Sequence, residues 1–370
     1  MRCSICKSEL RPGGRCPCGA TCATAYVPLR PSRFYKSPPA TTEISLAPGK
    51  VFDAGGDFYA KHIDLFLAGD MEITGIGWVR DLPNAVYHGY SGVSSSQIGA
   101  MLDVPARLKT PMEATHAMHF GTLMHAATLE PDVFDASIIK APTVRRQGKD
   151  NLAIWEAWLK DQLALGHMRV SVDDAMNTRT PQLHSCFRDT VLFLGDGDRK
   201  KIEGIRASLA APHHAEIAEI MAHPDNEFEM SGFAQLPDDA DKWHDVRIRT
   251  DIIRFGSSIV DLKSCGSAAP FAFMQTIGKR DYHTRAAFYL DAASVIDDKS
   301  YDEFIWIAIE KSPPYLMGMY RMARDSDEFR AGKRRYQRAL AAIAECRQSG
   351  VWPSYTCAPL DIELSPYALL

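Results

Sequence analysis

From Arg249 to Lys263 the chain reads Arg-Thr-Asp-Ile-Ile-Arg-Phe-Gly-Ser-Ser-Ile-Val-Asp-Leu-Lys, two β-branched runs meeting at a Gly-Ser turn. That pattern predicts an antiparallel hairpin. Asp251 and Asp261 each stand five residues from Gly256. A turn centred on the glycine sets them opposite one another, with Cβ atoms roughly 5 Å apart. Lys263, two residues beyond Asp261, projects from the same face, while Ile252, Val260 and Leu262 point the other way into a core. Two carboxylates at that distance raise one another's pKa unless a cation lies between them. A hard divalent ion, Mg²⁺ or Mn²⁺, satisfies both and holds a water and a phosphate oxygen. A neighbouring lysine orients or deprotonates that water and offsets charge in the transition state. This is phosphodiester hydrolase chemistry. The bland alternative is an Asp–Lys pair on an exposed strand, and a one-residue register slip parts the two aspartates.

The rest of the chain bounds the fold that carries this hairpin. Its 370 residues are 46% hydrophobic and 24% charged, a globular composition that excludes coiled-coil and wholly disordered readings. The longest aliphatic runs, such as Ile305-Trp306-Ile307-Ala308-Ile309, fall far short of the roughly 18 residues of a membrane span. Met1-Arg2 leads into cysteines rather than an apolar export signal, so a cytoplasmic protein with no membrane partner is expected. The net charge of −4 argues against a passive DNA coat, though not against an enzyme with one basic channel.

Three segments are expected: a zinc knuckle over 1–26, a proline-rich linker and irregular extension over 27–76, and the main domain over 77–370. Cys3, Cys6, Cys16, Cys18 and Cys22 crowd the first segment among glycine turns. Thiolates so spaced suit a tetrahedral Zn²⁺ that supplies folding energy to a piece too short for a core. Cys3, Cys6 and Cys16 are three of the ligands, and the fourth is Cys18 or Cys22. In the main domain Ser94-Ser95-Ser96-Gln97 caps a helix. Helical periodicity covers 151–165 and 199–222, strands follow at 227–236, 244–255 and 257–265, and a long helix runs from 270 to 296. Strands at 304–311 and 315–322 and a basic helix near 326–348 complete an α+β pattern, a mixed central sheet flanked by helices.

Asp251 followed by Asp261-Leu262-Lys263 resembles the PD-(D/E)xK nuclease signature. Its flanks, Gly77-Trp78-Val79-Arg80-Asp81-Leu82, Gly92-Val93-Ser94-Ser95-Ser96-Gln97-Ile98, Phe120-Gly121-Thr122-Leu123-Met124-His125 and Glu310-Lys311-Ser312-Pro313-Pro314-Tyr315, are similar to the exonuclease VIII (RecE) branch. The resemblance covers about 77–325 in the expected order. It implies a restriction-endonuclease-like core with Asp251, Asp261 and His125 as Mg²⁺ ligands, Lys263 as the catalytic lysine, and Glu229 at an acidic position on the preceding strand. It also implies a Mg²⁺-dependent exodeoxyribonuclease that degrades one strand of linear duplex DNA from the 5′ end. The 3′ tails would serve a single-strand annealing recombinase in a phage or prophage setting, and the enzyme would be a homo-oligomer. The family carries Gln-x-x-x-Tyr on its long helix; here Arg285 replaces the glutamine and Tyr289 is kept, a DNA-contacting pair one turn apart. The rival readings are a structure- or sequence-specific endonuclease of the same fold and a non-catalytic DNA-binding or assembly protein.

Overall fold

The computed structural model describes residues 43–55, 71–110, 115–164, 171–177 and 193–355, apart from a few positions within them, and also Phe58 and His62. The chain divides into two compact units, Met1–Thr41 and Thr42–Leu370, and everything described belongs to the second. The expected zinc ligands lie outside the described residues.

Short strands open the described chain: β1 (Glu43–Ser45), β2 (Val51–Asp53), β3 (Glu72–Thr74) and β4 (Gly77–Arg80). Helix α1 (Asn84–Gly89), β5 (Val93–Ser94), α2 (Ser95–Asp103), α3 (His116–Leu129) and α4 (Pro131–Ser137) follow. Next come β6 (Ile139–Lys140), α5 (Lys149–Ala164), α6 (Val172–Asn177), β7 (Phe193–Leu194), α7 (Asp196–Leu209) and α8 (Ala215–Met221). The long strands are β8 (Glu227–Pro237), β9 (Trp243–Arg254) and β10 (Ser258–Cys265), followed by α9 (Pro270–Lys279) and α10 (Tyr282–Asp297). Strands β11 (Glu303–Glu310) and β12 (Met317–Ala323) precede α11 (Asp327–Ser349).

The main sheet runs β12-β11-β10-β9-β8-β4-β2, with β5 joined to β9. It is mixed: β10 and β11 are parallel, as are β2 and β4 and also β5 and β9, while the remaining neighbours are antiparallel. Strand β2 lies in the stretch whose sequence reads as short strands or an irregular extension, and it forms one edge of the sheet. Ile248, Ile253, Ile259 and Trp306 pack on one face against Ile98 of α2, Phe288 of α10 and Tyr336 of α11. Ile252, Val260, Leu262 and Ile307 pack on the other against Phe120, Leu123 and Met124 of α3 and Ile205 of α7. The result is a sheet between two helical layers, each burying an apolar face that neither helix nor strand can leave in water.

Two helices expected as single pieces are broken. Proline 212 has no amide hydrogen to continue a helix, and residues 212–214 form a 3₁₀ turn between α7 and α8. The stretch 270–296 is two helices because Asp281 adopts a left-handed backbone, φ 53°, where the first stops and the second begins. The Ser94 cap is as expected: its hydroxyl accepts from the Gln97 amide and the Gln97 side chain accepts from the Ser94 amide.

Candidate active site at a split between two strands

The hairpin register is Ser258 with Arg254, Ile259 with Ile253 and Val260 with Ile252. Extended by one step, it sets Asp261 opposite Asp251, as the turn at Gly256 predicts. The ladder stops one pair short. Instead of a backbone carbonyl, the Asp251 carboxylate receives the Leu262 N–H, at 2.7 Å. Further along, β9 pairs with β5 at Val246 and Arg247, so between these two partnerships the strand edge opens.

On the other side of β9, Phe228 pairs with Ile252 and Met230 with Thr250, whereas Glu229 and Asp251, opposed in that register, form no bridge. Glu229 has a left-handed backbone, φ 49°. For a residue with a Cβ that conformation is strained by about 1–3 kcal/mol. It also shifts the face alternation: Phe228 and Ile252 pack with the α3 layer, Met230 and Ile248 with the α10 layer. The slip turns both acids toward the split rather than into either core.

His125 reaches the same point from α3. Its Nε2 donates to the Leu262 carbonyl at 2.9 Å, and its Nδ1 lies 3.4 Å from Asp251 Oδ1. Both polar groups around Leu262 are thereby used to fix site residues. The Nε2 bond assigns that nitrogen as the donor and leaves Nδ1 facing the acids, the outer bond that orients a ligating imidazole. Ligand atoms of His125, Glu229 and Asp251 all lie within 4.8 Å of one another. One nitrogen and two carboxylates, anchored by backbone bonds, suit a divalent cation. Asp261 lies beside this trio with its carboxylate ion-paired to Lys263.

Burial and the mutual repulsion of the acids set the electrostatics of the cluster. Burial raises Glu229, the adjacent Asp251 raises it further, and its carboxyl is lifted to about 7. Burial works against a charged His125, but the Asp251 carboxylate overrides it and lifts the ring to about 9. Asp251 is held below the usual range because His125 and Lys263 outweigh its burial. Burial pushes Asp261 up, and Lys263 only partly offsets that rise. Lys263 is itself raised, the Asp261 and Asp251 charges prevailing over burial.

Helix α10 lies beside these groups. Lys263 Nζ sits 5.7 Å from the centroid of the Tyr282 ring, and the Arg285 guanidinium is 5.9 Å from the same ring. Arg285 Nε is buried with no hydrogen-bond partner. One turn on, the Tyr289 hydroxyl is 3.3 Å from Ser95 Oγ at the start of α2, and burial pushes Tyr289 up to about 12. Arg285 and Tyr289 therefore share one face next to Lys263. Tyr282 and Ser95 were not singled out from sequence. A tyrosine three residues before Arg285 was the available signal, since both then fall on one helical face.

The basic runs are largely neutralised within the chain. Arg199 pairs with Asp196 and Glu203, Lys201 with Asp198, Lys333 with Asp291 and Arg335 with Asp281. Arg146 donates to the Ala175 carbonyl and lies over Trp155. These are structural ties.

Residues 242–363 match the family described as PDDEXK-like domain of unknown function (DUF3799). That stretch contains Asp251, Asp261 and Lys263 and is similar to a PDDEXK-like domain, in line with the resemblance carried by the Asp251 and Asp261-Leu262-Lys263 signature. No curated protein matches the chain. Among solved structures, a candidate exonuclease from Eubacterium rectale aligns at 12% identity over 75% of this chain and 91% of its own, with a TM-score of 0.42. The alkaline exonuclease of Laribacter hongkongensis aligns at 14% identity over 61% and 95%, with a TM-score of 0.24. Scores this low establish neither shared fold nor shared activity. Among the described residues no helix is long and apolar enough to cross a membrane.

Proposed function

We propose, with the PDDEXK-like match as premise, that the protein is a divalent-metal-dependent deoxyribonuclease. The observation that carries this is the convergence of His125, Glu229 and Asp251 beside the Asp261–Lys263 pair at the β9–β10 split. The three would hold a Mg²⁺ or Mn²⁺ ion, which when bound supplies Lewis acidity toward a phosphate oxygen and an acidified water. His125 gives up its Nδ1 proton to bind, because a ligating imidazole is neutral. Asp261 keeps the Lys263 ammonium at the site, and Lys263 orients the attacking water and offsets the charge gathering on phosphorus. Water oxygen bonds to phosphorus and gives up a proton to solvent, the P–O ester bond breaks, and the leaving oxygen takes a proton from solvent. Arg285 and Tyr289 grip the backbone beside the reacting phosphate, the guanidinium as a charged donor.

The finer reading rests on the resemblance to the RecE branch: 5′-to-3′ exonuclease action on linear duplex ends, 3′ tails passed to a single-strand annealing recombinase, a homo-oligomeric enzyme working in bacterial cytoplasm, and a zinc-bound cysteine segment. The test is end-labelled linear duplex with Mg²⁺, alongside covalently closed plasmid. Wild type is expected to release the 5′ label from linear DNA and spare the closed circle, and Lys263→Ala to lose at least 100-fold in rate, the low end of what a positioned acid–base or electrostatic group supplies. Cleavage of the circle turns the reading to an endonuclease. Undiminished cleavage by Lys263→Ala refutes the site.

A further inference from the structure

Helix α9 is the connection between the catalytic strand β10 and Tyr282, yet none of its side chains has a place in the site. Its buried side is anchored: the Phe273 ring lies 4.7 Å from that of Tyr320, and the Tyr320 hydroxyl donates to the Ala268 carbonyl at the helix entrance. Its outer side is not anchored. Phe271 is 76% exposed and Met274 59% exposed, and Gln275, Gly278 and Lys279 continue the same stripe in solvent. Phe271 and Met274 are neighbours on one helix face, so together they form an exposed apolar patch of the kind that marks a binding surface.

Charge and position supply one. From Leu262 to Arg280 the sequence contains no carboxylate, and the helix ends in Lys279-Arg280, neither of which forms an ion pair among the described residues. That basic end is next to the site, because Asp281 follows and Tyr282, the ring beside Lys263, opens α10. The other end lies at β12, through Ala268 and Tyr320. The stripe thus leads from the candidate catalytic lysine outward across β11 toward the sheet edge. From Phe271 to Lys279 it spans about 12 Å, the length of roughly three to four stacked nucleotides. An aromatic and a thioether side chain leading into two cations, with Glu310 held on the Ala268 amide at the helix entrance and Asp281 beyond Arg280, match the chemistry of single-stranded nucleic acid.

We propose that the outer face of α9 is a binding rail for single-stranded DNA running from the site, with Phe271 and Met274 stacking on bases and Lys279 and Arg280 following phosphates. This deepens the nuclease reading and rests on it. Binding is measured by fluorescence anisotropy of a fluorescein-labelled dodecathymidylate with the full-length protein in EDTA, where no turnover intervenes. The double variant Phe271→Ser, Met274→Ser is expected to bind about tenfold more weakly, and Phe271→Trp to bind within twofold of wild type, because stacking tolerates any large π face. If the double variant melts early, Met274→Gln replaces it, with an expected loss of about threefold at unchanged melting temperature. Affinities within twofold of wild type for these serine and glutamine variants overturn the proposal. So does a change of molecular mass in light scattering with oligonucleotide affinity intact, which would make the face a contact between copies. Failure of the parent reading looks different: wild type leaves linear duplex uncut in Mg²⁺, whatever the oligonucleotide binding shows.

Discussion

Glu229→Gln is expected to stabilise the metal-free protein and weaken the metal-loaded one. In the folded chain the Glu229 carboxyl is lifted from its ordinary 4.5 to about 7 by burial and by Asp251. At 1.36 kcal/mol per pH unit, ionised Glu229 therefore costs the metal-free fold about 3 kcal/mol. The sign follows from proton counting. Between about 4.5 and 7 the folded state holds the proton and the unfolded chain does not. The stabilising contribution is thus fully present below 4.5 and lost as the pH rises through 7. Glutamine has the same shape and never ionises. In EDTA at pH 8 the variant should be up to about 3 kcal/mol more stable, raising the melting temperature by roughly 5 °C, and the gap should close below pH 4.5. His125 takes most of its proton affinity from Asp251 and little from Glu229, so its own window changes little. Magnesium adds about 2.7 kcal/mol at 100 times the dissociation constant to whichever protein binds it, enough to cancel most of that gain, and about 4.1 kcal/mol at 1,000 times, enough to reverse the order. Thermal unfolding from pH 4 to 8.5, in EDTA and in MgCl₂, reads all of this. A gain independent of pH, or no gain at pH 8, would refute the placement of this carboxylate beside Asp251.

Arg285→Gln should reduce the slope of log affinity against log salt for duplex DNA by about one phosphate contact, leaving the protein's melting temperature unchanged. Gly232→Ala should destabilise by about 1–3 kcal/mol, because an added Cβ would meet Trp78 at 2.6 Å and Ile296 at 2.8 Å inside the core; chemical denaturation measures it. The full chain should contain about one zinc by elemental analysis, lost in the Cys3→Ser, Cys6→Ser variant, because a structural zinc site needs its complete thiolate set.

Where local chemistry decided the outcome, the sequence was readable. The Gly256 turn, the strands on either side and the burial of Ile252, Val260 and Leu262 follow from alternation and a turn residue. The capped start of α2 follows from Ser94 and Gln97. Pairing between distant segments was not readable, because a strand's composition does not name its neighbour. The parallel match of β10 with β11 and the membership of β2, β4 and β5 are of that kind. His125 is a related case: only family resemblance connected a histidine on an apolar helix with acids more than 100 residues away, and its bond to the Leu262 carbonyl is a tertiary fact. Asp281 stops one helix and starts another through a backbone choice that Asp tolerates but does not announce.

Glu229 shows most clearly why the remainder was hidden, and it also shows how the site is made. In Glu227-Phe228-Glu229-Met230, ordinary alternation puts Phe228 and Met230 on one face and Glu229 on the other. The left-handed turn at Glu229 cancels that rule, and the missing bridge to Asp251 lies directly across from it. A continuous ladder would have spent the Leu262 amide on a β9 carbonyl and held Asp251 flat against one helical layer. With the ladder broken, that amide goes to the Asp251 carboxylate, the Leu262 carbonyl goes to His125, and groups from α3, β8 and β9 meet at one point. The strain at Glu229 and the crowding of its carboxylate against Asp251 are both unfavourable in the metal-free protein. The divalent cation proposed for this site would offset the crowding by drawing the same carboxylates together. The arrangement is therefore better suited to binding metal than to stabilising the fold, in keeping with the proposed chemistry on phosphate.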